Sequence, residues 1–146
     1  MKKIVLFLAI LVFTPAISSI AQNKSSFKII VHSSIQIEKL TKNELSDIFL
    51  KKKRNWNNGM QIKPVDLSES LGIREDFSEA IHGRKVSSIK AYWQKQIFTG
   101  KGVPPPEKNS NQEVQEYIEE NVGAIGYVSI DYKINRDKVT VVEVDY

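Results

Sequence analysis

Cysteine is absent from the 146 residues, so no disulfide can brace the chain, no lipid can be carried on an N-terminal cysteine, and the fold rests on apolar packing. Histidine is nearly as scarce: His32 and His82 are the only two, and neither belongs to a metal-ligand spacing such as HExxH. No serine lies in a GxSxG turn, and Gly100-Lys101-Gly102 lacks the rest of a phosphate-binding P-loop. Together these absences argue against an enzyme, a bound metal and a cofactor. A run of about 20 apolar residues, the length a membrane-spanning helix needs, is also missing. The longest is Ile4 to Phe13. There is no internal repeat and no low-complexity tract.

What is present begins with an export signal. Met1, Lys2 and Lys3 precede that apolar run, and small residues follow at Ser19 and Ala21, which is the pattern of a cleaved secretory leader over 1–21. Cleavage after Ala21 leaves residues 22–146, the size of one domain, and a periplasmic or secreted location. The whole chain carries 21 basic and 17 acidic residues, a net charge of +4. Losing Lys2 and Lys3 with the leader brings the net charge to +2. Export and weak basicity together exclude nucleic acid as a partner, and Lys51-Lys52-Lys53-Arg54 is read as a solvated loop.

Phe27 to Val31 is rich in β-branched residues and predicts a buried first strand, with Ser33 and Ser34 at its carboxyl end. Thr41-Lys42-Asn43-Glu44 is a capping box that opens a helix over 42–50. Turn formers from Asn55 to Gly59 isolate a second strand, Met60 to Leu67. Ile73, Phe77 and Ile81 set a helix over 71–82, and Ile89, Trp93 and Ile97 set the buried face of another, capped by Ser87 or Ser88 and ended by Gly100. Pro104-Pro105-Pro106 makes Lys101 to Asn109 a stiff connection. Ser110 with Glu113 opens a fourth helix, and Ala124 to Val128 and Val139 to Val144 close the chain as strands. Strands separated by helices imply an α/β domain whose mostly parallel sheet, of four to five strands, is flanked by helices.

In such sheets ligands meet the carboxyl ends of strands and the amino ends of the following helices. Two places qualify: Ser33-Ser34 after the first strand, and Ser68-Glu69-Ser70 after the second. The turn from Ser68 through Gly72 to Arg74 is the stronger, because hydroxyls, free amides and a guanidinium at a helix start suit phosphate, sulfate or carboxylate oxygens. The plainer reading of the same residues is a Ser68 or Ser70 cap with Arg74 paired to Glu75, Asp76 or Glu69 on the surface.

Taken in order, several segments resemble the phosphate-type solute-binding proteins of bacterial ABC importers: Leu40 to Leu50, Trp56-Asn57-Asn58-Gly59, Ile62-Lys63-Pro64-Val65, Gly72-Ile73-Arg74-Glu75-Asp76-Phe77 and Val122 to Val128 with its GAIGYV core. The resemblance implies one lobe of a type II periplasmic-binding-protein (PBP) fold, with no catalysis. Two departures stand out. That family's anion loop reads R-S-D-G-S-G-T; aligned on its final glycine, this chain has Leu67 for the arginine, Ser68 for the first serine, Glu69 for the aspartate, Leu71 for the next serine and Ile73 for the threonine. The family also has two lobes that close on the ligand, whereas this chain matches the second alone. The expectation is an extracytoplasmic binding protein for phosphate or a similar small oxyanion, serving an ABC importer or an envelope sensor, its site covered by a homodimer or a second lobe in trans. The rival expectation is an interaction module that keeps the lobe fold and docks on another envelope protein through Lys51 to Arg54 and Pro104 to Pro106.

Overall fold

The structure, a computed structural model, describes residues 25–146, so the expected leader lies outside the described residues. Seven strands and four helices follow one another: β1 (Phe27–His32), β2 (Lys39–Thr41), α1 (Lys42–Phe49), β3 (Lys63–Pro64), β4 (Asp66–Leu67), α2 (Gly72–Phe77), α3 (Val86–Phe98), β5 (Glu107–Lys108), α4 (Asn111–Glu120), β6 (Ala124–Ser129) and β7 (Val139–Asp145). A π-helical turn over Ser78–His82 extends α2. The main sheet has five strands in the order β2-β7-β1-β6-β3, and β4 and β5 form a separate pair.

That sheet is mixed, which corrects the mostly parallel arrangement expected from sequence. β1 runs antiparallel to both β6 and β7, pairing Ile30 with Gly126 and with Val141, while β2 joins β7 and β3 joins β6 in parallel. Alternation of strands with helices does not reveal the direction of a first strand that has no helix before it. The strand expected over Met60 to Leu67 is also divided. Val65 N–H donates to Ile125 of β6 at 2.9 Å, but Asp66 N–H turns to Pro106 O at 2.9 Å, so the chain changes partner at one residue. β5 lies inside what reads as a plain proline-rich connection.

Successive residues of a strand face opposite sides of the sheet, and β6 shows what covers each. Tyr127 stacks on Phe77 of α2 at 3.8 Å between ring centroids and meets Phe49 of α1 and Phe27 of β1 at tilted or edge angles. Gly126 on the opposite side is closely approached by Val114 and Ile118 of α4. With helices on both faces, β6 is buried along its length and reads as one apolar run. α1 has the full capping box, Thr41 Oγ1 accepting from Glu44 N–H and Glu44 accepting from Thr41 N–H. α4 is capped by Ser110. Trp56, 5% exposed, packs its loop and donates to Gly123 O at 3.0 Å.

α3 departs from its expected cap and face. It starts at Val86 rather than after Ser87 or Ser88, and the acceptor for Val86 N–H is the Glu75 carboxylate of α2, at 3.2 and 3.3 Å. Ile89 and Trp93 are buried with Leu50 in a small cluster of their own, but Ile97 is half exposed.

Candidate functional site

The sequence-derived site divides in two. Antiparallel pairing puts the end of β1 beside the start of β6, Val31 facing Ile125, whereas β3 and β4 run with β6 toward its far end. Ser33 and Ser34 are therefore at the opposite edge of the sheet from Ser68 to Arg74, and the structure does not bring the two groups together. Ser34 is engaged locally instead, with its Oγ 2.8 Å from His32 Nδ1.

At the other edge, the loop from Ser68 to Leu71 links β4 to α2. Ser68 N–H donates to Lys108 O of β5 at 2.8 Å, and Leu71 N–H returns to Ser68 O at 3.1 Å, which closes a tight turn. Leu71 is the residue that precedes the helix, in extended conformation, and no side chain caps α2. The amides of Gly72 and Ile73 thus open α2 with neither a cap nor an intrahelical acceptor. Gly72 is exposed, and the Ser68 and Ser70 hydroxyls, 3.1 Å apart, stand beside it. Glu69 is drawn away by Lys90 of α3 at 2.8 Å, an exposed pair that neutralises the carboxylate nearest the turn while adding little to stability.

Arg74 corrects the reading of a surface cation. It is 3% exposed and pairs with Asp66 of β4, Nη2 to Oδ2 at 2.9 Å, and not with Glu69, Glu75 or Asp76. Asp66 is as deeply buried, and its Oδ1 accepts from the Tyr127 hydroxyl at 2.5 Å and from Leu67 N–H at 3.0 Å. Burial pushes the Asp66 carboxyl above its usual range, while Arg74, Tyr127 and the Leu67 amide pull it down. The phenol of Tyr127 is driven upward by burial and by the Asp66 charge, so it remains a donor. Two Arg74 nitrogens, Nε and Nη1, have no acceptor.

Asp66 and Tyr127 are the residues that sequence reasoning missed. A signal existed: an aspartate between Val65 and Leu67, inside a strand otherwise apolar, has to find a buried cation or donor. Its partner Arg74 is eight positions away in the chain, but Tyr127 is brought to it only by the sheet.

This edge presents two uncapped amides and two hydroxyls at the opening of α2, with the Arg74–Asp66 ion pair buried in the same region. No curated protein matches the chain. Among protein-family models, residues 24–146 match one described as a PBP superfamily domain. The chain belongs to the PBP superfamily. Its structural likenesses include proteins named for phosphate transport or binding. It resembles a Clostridium perfringens protein assigned as a phosphate ABC transporter substrate-binding protein, solved with phosphate bound, at 25% identity and a TM-score of 0.64, over 82% of this chain and 45% of that one. An ABC-type phosphate transport receptor from Vibrio cholerae follows at 21% identity and 0.63, over 82% and 46%. PstS from Borrelia burgdorferi matches at 20% and 0.57, over 82% and 47%. This PBP-superfamily chain therefore spans less than half the length of each of these neighbours. Among the described residues no helix is long and apolar enough to cross a membrane, and no cluster of three or more metal-ligating side chains occurs.

Proposed function

We propose that this PBP-superfamily lobe is a non-enzymatic, extracytoplasmic solute-binding protein that takes phosphate or a similar oxyanion at the start of α2, in ABC-type uptake or sensing. Residues 1–21 are its export leader and residues 22–146 the mature domain. The observation that carries the reading is the uncapped, exposed opening of α2 at Gly72, flanked by the Ser68 and Ser70 hydroxyls. The likeness to a phosphate-bound protein supports the ligand class. Arg74, committed to Asp66, ties α2 to β4 rather than reaching the ligand, and Glu69 is restrained by Lys90. Ser33 and Ser34 drop out of the site on geometric grounds.

A lone seat facing bulk water cannot desolvate its ligand, so affinity is weak until a second chain, a homodimer mate or a lobe supplied in trans, covers it. The test is thermal. With a millimolar dissociation constant, phosphate or sulfate at a hundred times that value stabilises the folded chain by about 2.7 kcal/mol and raises its melting temperature. The Ser68→Ala/Ser70→Ala double variant, altering a half-exposed and an exposed side chain, melts unchanged without ligand and loses most of the rise. A melting temperature flat against both anions overturns the assignment.

A second reading is favoured by Phe98, 93% exposed, with Ile97 and Val103 also open to solvent and Val103 sharing a surface cleft with Lys51, Lys53 and Arg54. Such a face suits an interaction module, and a flat anion titration would leave it as the better account.

A further inference from the structure

Lys51-Lys52-Lys53-Arg54 reads in sequence as a solvated loop, but the fold brings other cations to it. A cleft of about 370 Å³ is lined by Lys51, Lys53 and Arg54 from the segment after α1, by Lys63 at the start of β3 and by Lys101 from the loop after α3. Three separate segments place five cations around one hollow whose lining holds no carboxylate. That is a marked segregation in a chain whose basic and acidic residues number 21 and 17. Neighbouring acids offset little of it. Glu44 takes Lys53 at 3.0 Å and Asp47 draws off Lys52 at 3.7 Å, but Lys51, Arg54, Lys63 and Lys101 form no ion pair among the described residues. These donors are within reach of a ligand. Arg54 and Lys101 are exposed and Lys51 and Lys63 half-buried, and among the described residues only Arg74 holds side-chain nitrogens that are both enclosed and unpaired.

Lys51 shows what the crowding costs. Burial, and after it the Arg54 charge, hold its ammonium below the usual range, and one of its protons goes to Pro104 O at 3.2 Å. Its backbone is left-handed, φ 54°, at the residue after the α1 cap, where glycine or asparagine is the usual choice. A long cation kept at a strained position and against a like charge is balanced by an anion from outside the chain. We propose that this cleft binds a short chain of linked phosphates, its anionic groups spread over Lys51, Arg54, Lys63 and Lys101. A single oxyanion occupies one point and engages only the donors that converge there, whereas unpaired cations from three segments call for several anionic groups held in line. The proposal does not rest on the α2 seat. Lys63 pairs with Ala124 at the start of β6, so the cleft is at the amino ends of β3 and β6, and it shares no lining residue with Ser68 to Gly72.

The experiment titrates the full chain at low salt with tripolyphosphate, orthophosphate and ATP, following heat and the amide NMR shifts of residues 51–54, 63 and 101–103. Tripolyphosphate is expected to bind saturably, about tenfold or more tighter than orthophosphate, and to weaken as salt is added. ATP separates two sources of such a chain: affinity equal to that of tripolyphosphate supports a nucleoside-borne chain, and weaker binding supports a free one. Arg54→Gln/Lys101→Gln, at two exposed positions, keeps the ligand-free melting temperature and weakens tripolyphosphate about tenfold. Lys133→Gln/Arg136→Gln removes the same charge from exposed positions outside the cleft and changes affinity by no more than about twofold. Absence of saturable binding, parity with orthophosphate, full affinity in the Arg54/Lys101 variant, or an equal loss in the Lys133/Arg136 variant overturns the proposal. Ser68→Ala/Ser70→Ala retains tripolyphosphate affinity, so failure of the α2 seat and failure of this cleft are read separately. Loss of affinity in that variant places the phosphates at α2 and overturns the cleft site.

Discussion

Asp66 does its work by being in the wrong company. A carboxylate 4% exposed in a strand flanked by Val65 and Leu67 is sustained by three donors from three places: its own strand, α2 and β6. Removing it leaves the Arg74 charge buried with no partner at all. Asp66→Ala is therefore expected to cost about 3–5 kcal/mol in urea unfolding, and Tyr127→Phe, which withdraws one hydroxyl donor, about 1–2 kcal/mol. Equal small losses in the two variants would mean that the pair is not holding α2 to the sheet. The individual residues were legible unevenly. Trp56 was legible only as part of a resemblance segment, and the structure shows it buried as the packing residue of its loop. Arg74 was read either as an anion ligand or as a surface charge paired with Glu75, Asp76 or Glu69, whereas its own side chain is buried and its partner is Asp66.

Among the elements, β6 is the one whose sequence and packing constrain each other most tightly. Gly126 faces α4, where an added Cβ would come within 2.8 Å of Val65 Cγ1, 2.9 Å of Val114 Cγ1 and 3.1 Å of Ile118 Cδ1. Gly126→Ala must push α4 and the β3–β4 junction outward, and the expected loss is about 1–3 kcal/mol in the melting or urea midpoint. Gly102→Ala, where a Cβ meets nothing within 4 Å, is the control and should change stability by no more than about 0.5 kcal/mol. An unaffected Gly126→Ala would show that α4 is not seated as described. Helix starts divide by the range of their capping. Thr41 with Glu44 and Ser110 with Glu113 cap locally, so their signatures could be recognised in the chain. α3 is capped across space by Glu75, and its start is misplaced when only neighbouring residues are considered. The π-helical turn at the end of α2 is likewise a tertiary matter, secured by Ser78 Oγ donating to Arg84 O at 2.6 Å.

At the scale of the molecule, the charge state of the interior links folding to pH. His82 Nδ1 lies 2.9 Å from Ser46 Oγ of α1, its ring meets Phe77 edge-on, and burial, reinforced by Arg74, Arg84 and Lys52, lowers it from 6.5 to about 4. A folded value below the unfolded one means that the unfolded chain takes up the proton first, so this contribution is complete above about pH 6.5 and is lost as pH falls toward 4. Glu44, lowered chiefly by the Thr41 amide, acts in the same direction, while Asp66, raised by burial, opposes it. Comparing the wild type with His82→Gln cancels those two. Relative to the variant, the wild type should lose on the order of 2 kcal/mol of unfolding free energy between pH 7 and pH 4.5, and parallel curves would rule this out. The sequence by itself determined most of the elements, the two local helix caps at Thr41 and Ser110, the apolar identity of β1, β6 and β7, and the likeness to one lobe of a PBP, because all of these are written in residues a few positions apart. Tertiary structure alone decided that β1 runs against its neighbours, which sends Ser33 and Ser34 to the far edge of the sheet, and that Arg74 turns inward to Asp66. Strand direction and charge pairing depend on which distant segments become neighbours, and spacing along a chain carries no record of that.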